Sequence, residues 1–338
     1  MSMPDDGRAL PTVSVIVPVY NGEHTVAACI ESLLAQTYPA DRFDVIVVEN
    51  GCTDATSEVV GRYPVRLLHS APRGAAAARN LGVTQSDADI IAFTDADCIA
   101  HPRWLAELVR PYIDDPEVMG AGGAIVAYVH RERTDVERFL AEHPPLINWV
   151  SNAGQFLPHL LTANASYRRA LLARAGGFDP TYVAAADVGL SWRLQLEMGA
   201  KLVYVPQAVV YHHHRATRKG LARMYRRTGF IEVVLDARFR DAPGFTRRRA
   251  YHLRRLFSQC ARLPLYVAAA GMRRLRLARR RITPYEAAVP ILALLREGSN
   301  IVGKLEGLVA TRFMTDGEHA LHLEADRMIE RLFSPRKE

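Results

Sequence analysis

Short apolar runs that alternate with helical patterns constrain the fold of this chain more than any other feature. The first run, Val13 to Val19, is rich in β-branched residues and has no polar alternation, which is typical of a strand buried on both faces of a parallel sheet. After a turn at residues 20–22, apolar side chains over 26–34 recur at the spacing of one helical face. Further strands are predicted over 45–48, 65–69 and 90–93, with helices over 53–62 and 74–83. This alternation predicts an α/β fold built on a doubly wound, mostly parallel sheet.

Polar side chains lie at or near the carboxyl ends of these predicted strands. Open α/β sheets bind their ligands beyond that edge, so we expect the polar side chains there to gather around one cleft. They are Tyr20, Glu49, Asn50, Arg79, Asp95 and Asp97. The sequence therefore predicts a polar ligand site at one edge of the sheet.

Two carboxylates, Asp95 and Asp97, follow the predicted strand over 90–93. In an extended chain alternate side chains share a face, so both carboxylates can point into the cleft while Ala96 points away. A divalent cation that carries a diphosphate would offset two such close negative charges, since hard cations prefer oxygen ligands. The alternative interpretation is a polar strand-to-helix turn with an aspartate cap before Pro102.

The second half of the chain contains a further candidate acid, Asp187, at the predicted start of a helix. A carboxylate there suits the helix dipole, so capping is its alternative role. The surrounding pattern predicts a helix over 101–112, strands over 119–128, 160–167, 201–205 and 208–211, and a helix with a mobile loop over the cleft between 130 and 159. Three consecutive histidines at 212–214 follow the last of these strands.

Composition limits the class of protein. The 338 residues suffice for one large or two modest domains, and 49% apolar and 23% charged residues are ordinary for a globular protein. Four cysteines without a metal-binding spacing favour a reducing compartment. The first dozen residues lack a signal-peptide pattern, and no apolar run reaches the roughly 18 residues of a membrane span. We therefore expect the active region to be cytoplasmic.

Charge is strongly segregated along the chain. The net charge is +7, but residues 215–281 contain 20 Lys or Arg against three acids, which leaves −10 for the remainder. Helices are predicted over 217–236 and 246–272, followed by the arginine-rich stretch 273–281. The apolar runs 263–272 and 287–295 are too short to span a bilayer but could lie in its interface.

Two interpretations of this basic region remain open at this point. It is either a surface that binds an anionic membrane or a packed helical subdomain with a solvated basic face. Nucleic acid is disfavoured, because the region has no aromatic-rich basic platform and no known reader motif. The sequence pattern of residues 306–338 predicts one or two terminal amphipathic helices, which could form contacts between copies of the chain in a homo-oligomer.

Eight segments in order give the chain a resemblance to the family 2 glycosyltransferases over about 13–229. They are VSVIVPVYNG, VVENGCTD, AARNLG, FTDADC, LTANASYRR, GGFD, ADVGLSWRL and YHHHR. The resemblance implies the nucleotide-sugar-binding GT-A fold over 1–229, with a donor half at about 1–128 and an acceptor half at about 129–229. Residues 230–338 would form a helical, basic C-terminal region.

The resemblance also implies which residues bind the nucleotide diphosphate-sugar donor. The residues bordering the base would be Pro18, Val19, Tyr20, Glu49 and Asn50. Glu49 would accept a base N–H, and Arg79 would lie near the base or ribose. Asp95, with Ala96 beside it, would meet the ribose or the metal-bound diphosphate.

The same resemblance implies which residues bind the metal and which residue is the catalytic base. Asp97 and His212 would hold Mn²⁺ or Mg²⁺, with His213 and His214 competing for the histidine position. Asp187 would be the base that takes the proton of the acceptor hydroxyl, while the metal stabilises the leaving diphosphate.

The predicted function is therefore metal-dependent, inverting transfer of a sugar to an acceptor hydroxyl, on a sugar, a lipid-linked acceptor or a cell-envelope glycan. A peripheral position on the inner face of the membrane would suit such acceptors. Ala186 stands where the family usually has an acid before the base, which keeps open a non-catalytic nucleotide-sugar-binding scaffold. A sugar nucleotidyltransferase fits less well, because PVYNGEHT contains no Gly-rich phosphate loop with Lys or Arg.

Overall fold

The computed structural model describes residues 10–71, 74–128, 133–146, 148, 156–182, 185–246 and 249–311. Within these residues, eight strands form one sheet. The strands are β1 Val13–Val19, β2 Phe43–Glu49, β3 Arg66–His69, β4 Ile90–Thr94, β5 Cys98–Ala100, β6 Val118–Ala127, β7 Asn164–Arg168 and β8 Lys201–His212. The helices are α1 Val26–Leu34, α2 Thr56–Val60, α3 Ala75–Thr84, α4 Trp104–Asp114, α5 Asp135–Glu142, α6 Arg169–Arg174, α7 Ala186–Met198, α8 Arg218–Arg238, α9 Arg249–Ala278 and α10 Pro284–Ala310.

The sheet has the order β3-β2-β1-β4-β7-β6-β8-β5. The first four strands in this order run parallel to one another. Strand β7 is antiparallel to both β4 and β6, whereas β8 runs parallel to β6 and antiparallel to β5. The predicted α/β class with a mostly parallel sheet is confirmed.

Helices cover both faces of the sheet, which explains the unbroken apolar run of β1. Val15 and Val17 pack against α1 and α4 on one face. Ile16, between them, approaches Gly82 of α3 on the other face and belongs to the core cluster there that includes residues of α6 and α7. Because successive side chains of a strand point to opposite faces, a strand buried on both sides has no place for polar residues.

Three predicted strands differ from those in the structure. The segments 201–205 and 208–211 form the single strand β8, in which Pro206 lies at an irregularity of the pairing with β6. An irregular position tolerates proline, which has no N–H to donate. The strand predicted over 160–167 begins only at Asn164, because the Asn164 amide donates to the carbonyl of Leu161 and closes a turn.

The chain divides into two compact units, Met1–Tyr128 with Pro145–His213, and Val129–Pro144 with His214–Glu338. The first unit contains the whole sheet, and the second contains α5, α8, α9 and α10. Residue 229, the predicted domain boundary, lies inside α8. Much of the loop predicted over 130–159, and the terminal helices predicted after residue 311, lie outside the described residues.

Close helix packing and buried polar contacts hold the second unit together. A Cβ added at Gly303 of α10 would lie 1.8 Å from the carbonyl oxygen of Arg226, so α8 and α10 approach closely there. Nearby, the buried Lys304 ammonium lies 3.2 Å from a Glu232 carboxylate oxygen and 3.2 Å from Gln259 Oε1. None of the described helices is long and apolar enough to cross a membrane.

Candidate active site

The paired aspartates follow β4 as the sequence predicts, and the first is held by an arginine. Asp95 Oδ1 accepts a hydrogen bond from Arg79 Nη2 at 2.9 Å. Arg79 projects from α3 and is nearly buried, whereas the Asp95 carboxylate is about one-third exposed. Ala96, between the two aspartates, is buried in the core against β1 and α1. The buried alanine fixes the turn that presents both carboxylates.

The second aspartate lies beside a histidine from the distant end of β8. His212 Nε2 is 3.5 Å from Asp97 Oδ1. Antiparallel pairing of β5 with β8 sets Cys98 opposite His212, and the His213 amide donates to the Asp97 carbonyl at 2.9 Å. Backbone pairing therefore fixes the separation of these two side chains.

Cys98 lies beside this pair, and no sequence pattern singled it out as a ligand. Ligand atoms of Asp97, Cys98 and His212 all lie within 4.8 Å of one another. Burial raises the pKa of the Cys98 thiol well above its usual range, and the Asp97 and Asp95 charges raise it further. The competing candidate His213 instead stacks on Tyr128, with ring centroids 4.3 Å apart.

The predicted base-binding residues lie at the ends of β1 and β2. Pro18 and Val19 pair with Val48 and Glu49, and Tyr20 follows with an exposed ring. These positions place the ends of the two strands side by side at the same edge as β4.

The Glu49 carboxylate is already engaged by two neighbours. It accepts a hydrogen bond from the Cys52 amide, and its Oε2 lies 2.8 Å from His69 Nδ1. The His69 contact, supported by the Cys52 amide, lowers the pKa of Glu49 below its usual range. Glu49 is thus held as an anion, and each of its oxygens retains a second lone pair for a ligand.

Asn50 positions the loop that leads into α3. Its Oδ1 accepts from the Gly74 amide at 2.8 Å, and its Nδ2 donates to the Gly74 carbonyl at 3.2 Å. Gly74 has a φ of 134°, a backbone conformation that favours glycine. This two-point contact sets the start of the helix that carries Arg79.

Asp187 lies in the first turn of α7, as the sequence predicts. Its Oδ1 accepts from the amide of the next residue, Val188, at 2.9 Å, but the N-cap position of α7 is Ala185, so the capping alternative is not what the helix shows. Its Oδ2 accepts from the amide and hydroxyl of Thr162 at 3.2 and 3.4 Å. The turn that shortens β7 supplies Thr162, which sequence reasoning did not connect to Asp187. Ala186, where an acid was expected, is buried in the apolar core.

These features define a class of protein. The mixed, mostly parallel α/β sheet followed by C-terminal helices is similar to the GT-A fold of glycosyltransferases. The fold is similar to that of the mannosyltransferase PcManGT from Pyrobaculum calidifontis, solved with GDP-Man and Mn²⁺. That likeness has a TM-score of 0.61 and 23% identity, and covers 90% of this chain and 88% of that one.

The family follows from sequence comparison. The model of the family described as glycosyl transferase family 2 matches residues 14–174, and these residues belong to that family. The pre-mycofactocin glycosyltransferase of Mycobacterium tuberculosis is 33% identical over 63% of this chain and 45% of its own length. The glucosyl-dolichyl phosphate glucuronosyltransferase of Haloferax volcanii is 27% identical over 59% of this chain and 68% of its own length. The chain spans less than half of the length of the first curated relatives that it matches.

Proposed function

We propose that this protein is a metal-dependent, inverting glycosyltransferase that moves a sugar from a nucleoside diphosphate to an acceptor hydroxyl. The observation that carries the proposal is the pairing of Asp97 with His212, 3.5 Å apart at the ligand-binding edge of a family 2 domain. The family assignment sets aside the nucleotidyltransferase alternative.

The side chains present suit a divalent cation. A carboxylate and an imidazole within one ion's reach are acceptable to Mn²⁺ and, with less preference for the nitrogen, to Mg²⁺. Asp97 and His212 would hold the ion, which would supply positive charge to stabilise the leaving diphosphate. Cys98 lies close enough to contribute a third ligand atom.

The donor would be oriented by residues on the neighbouring strand ends and on α3. Arg79 holds Asp95 in place, so that the Asp95 carboxylate can accept from the ribose or face the metal-bound diphosphate. Val19 and Tyr20 would border the base, with Glu49 accepting one of its N–H groups. An anionic Glu49 is a stronger acceptor than a neutral carboxyl group, which favours this role.

Asp187 would be the base. Sugar transfer with inversion requires one carboxylate on the acceptor side, and the diphosphate leaves without a general acid. Hydrogen bonds from Thr162 and Val188 orient the Asp187 carboxylate.

The acceptor is proposed to be lipid-linked, and the protein to work at the cytoplasmic face of a membrane. The Haloferax volcanii relative is named a glucosyl-dolichyl phosphate glucuronosyltransferase, which indicates a lipid-linked substrate for that protein. This similarity is the reason for proposing a lipid-linked acceptor for the present protein. A cell-envelope glycan is the second acceptor class consistent with the family.

Nucleotide binding with defined variants tests the proposal. Isothermal titration of UDP and GDP should show binding that depends on Mn²⁺, and that dependence should be lost in Asp97→Ala and in His212→Ala. His213→Ala is the matched control, because His213 adjoins the site but stacks on Tyr128. Asp95→Ala should weaken nucleotide binding while some metal affinity remains.

Two outcomes would contradict the proposal in different ways. Undiminished Mn²⁺-dependent binding in Asp97→Ala would show that the ion is held elsewhere. Normal binding of UDP- and GDP-sugars by the parent protein, with no release of nucleoside diphosphate in the presence of acceptor extracts, would favour the non-catalytic scaffold that Ala186 left open.

A further inference from the structure

Helix α9 exposes an apolar face to solvent. Six of its large apolar side chains are more than half exposed, and Phe257 reaches 79%. The six are Leu253, Phe257, Leu265, Val267, Met272 and Leu275. At about 100° per residue they fall within one arc of about 160°, so they form a single broad stripe along the helix. We call this stripe the α9 face.

The opposite side of α9 is buried and combines apolar with polar side chains, and its apolar part belongs to a cluster shared with α8 and α10. His252 lies 3.2 Å from an Asp236 carboxylate oxygen, and both side chains are 3% exposed. Gln259 Nε2 donates to Glu297 at 2.8 Å in a buried contact. In water, a helix normally buries its apolar side and exposes its polar side. Helix α9 therefore has apolar side chains on its exposed side as well as on its buried side, which indicates that its outer face is adapted to a second apolar phase.

Arginines flank the α9 face. The helix Arg249–Ala278 contains no Asp or Glu, and the arginines on the edges of the face are exposed. Arg262 and Arg276 lie on one flank of the arc, Arg274 on the other, and Arg279 follows at the end of the helix. Arginines on the inner side differ, since Arg255 pairs with Glu232 at 2.8 Å and Arg273 donates to the Glu286 carbonyl.

We propose that α9 docks in the plane of an anionic lipid bilayer, with the α9 face inserted at the headgroup boundary and the flanking arginines on the lipid phosphates. An interfacial helix requires an apolar stripe beside cationic residues, and both are present along a helix about 45 Å long. Arginine stems also extend along apolar surface while their charged heads reach the phosphates. The proposal is independent of the transferase chemistry.

The arginines beside the α9 face favour an anionic membrane over the other possible partners of this surface. Two copies of α9 packed face to face would bring arginines against arginines, because the helix has no acid to pair with them. A nucleic acid would use the arginines but leave Leu253, Leu265 and Leu275 in water, since aliphatic side chains do not stack on bases. An anionic bilayer accommodates both the apolar side chains of the α9 face and the arginines that flank it.

Flotation of the full-length protein with vesicles tests the proposal. We expect co-flotation with phosphatidylcholine vesicles that contain 30% phosphatidylglycerol, little flotation with phosphatidylcholine alone, and release by about 0.5 M salt, at which charges are screened over only a few ångströms. Binding that is absent even at low salt on the anionic vesicles would overturn the proposal.

Two matched pairs of variants locate the surface. Leu265→Ser/Leu275→Ser should weaken vesicle binding by about tenfold or more, whereas Leu34→Ser/Leu196→Ser, on α1 and α7, should bind like the parent. Arg274→Gln/Arg276→Gln should weaken binding by about tenfold or more, because each arginine near the surface contributes about fivefold.

Arg62→Gln/Arg174→Gln is the charge-matched control, since both arginines are exposed and lie in the other unit. Equal losses in the control variants would overturn the assignment to the α9 face. A parent protein that is dimeric by sedimentation, with the Leu265→Ser/Leu275→Ser variant monomeric, would instead assign the face to a second copy. Circular dichroism and donor binding should match the parent in all four variants, because every altered side chain is exposed or nearly so.

Discussion

Replacing Asp187 by Asn tests the catalytic assignment most directly, because it separates two roles of the same carboxylate. Asp187 accepts one hydrogen bond from Val188 and two from Thr162. Asparagine retains one acceptor oxygen but turns an N–H₂ group towards a donor. If its oxygen stays on the Val188 amide, its N–H₂ faces the Thr162 amide, and that hydrogen bond is lost.

The structural cost of Asp187→Asn is modest. A hydrogen bond to a charged group contributes about 1.5–3 kcal/mol, and a negative charge in the first turn of a helix about 0.3–1 kcal/mol. The two contacts of Asp187 with Thr162 are long and the side chain is only partly buried, so we expect a loss of about 1–2 kcal/mol in unfolding free energy. For a domain of this size that lowers Tm by about 3–6 °C.

The effect of Asp187→Asn on the transfer rate should be much larger than its effect on stability. Loss of a general base slows transfer by about 10²-fold or more, equivalent to at least about 2.7 kcal/mol in the activation barrier. A protein with about 5–15 kcal/mol of stability remains almost wholly folded after losing 2 kcal/mol, so unfolding cannot explain such a decrease. Release of nucleoside diphosphate at saturating donor, together with the donor Kd, measures the chemical step separately from binding.

Asp179→Asn is the matched control. Asp179 also accepts from a following threonine, with its Oδ1 2.9 Å from the Thr181 amide and 2.7 Å from the Thr181 hydroxyl. Its variant should lose comparable stability and retain the parental rate. If Asp187→Asn transfers sugar at close to the parental rate, the base assignment is wrong; if Asp179→Asn is the slow variant, Asp179 takes that role.

Two further predictions concern stability. Gly303→Ala should lower the unfolding free energy by about 1–3 kcal/mol, because its Cβ would meet the Arg226 carbonyl oxygen at 1.8 Å. Gly298→Ala on the same helix is the control: its Cβ meets nothing within 4 Å, so this variant should be neutral or more stable by up to about 1 kcal/mol. Thermal melts compare the two variants, and equal Tm values would contradict the close packing of α8 and α10. The folded-state pKa of Glu49 is depressed by His69, so its contribution to stability is present above its ordinary pKa of 4.5 and is lost as the pH falls through the lower folded value. Glu49→Gln should therefore be less stable than the parent at pH 7 and lose less stability on acidification to pH 3, and parallel stability-pH curves would refute this.

The sequence by itself determined the elements that depend on local pattern. The β-branched run Val13–Val19 could be buried only between two layers of helices, and the order of strands and helices predicted the α/β class. The positions of Asp95 and Asp97 after a strand, and of Asp187 at the start of a helix, follow from neighbours along the chain. These predictions succeed because helix and strand periodicity are set by adjacent residues.

The tertiary structure alone decided the contacts between residues distant in the sequence. His212 reaches Asp97 because β5 and β8 pair with Cys98 opposite His212, across more than a hundred residues. Thr162 reaches Asp187 only through the turn before β7. Strand register is fixed by burial over the whole sheet, so one slip would turn every side chain of β8 to the opposite face. The exposed apolar face of α9 has the same cause: the polar and apolar residues on its other side find buried partners on α8 and α10, which no pattern within α9 reveals.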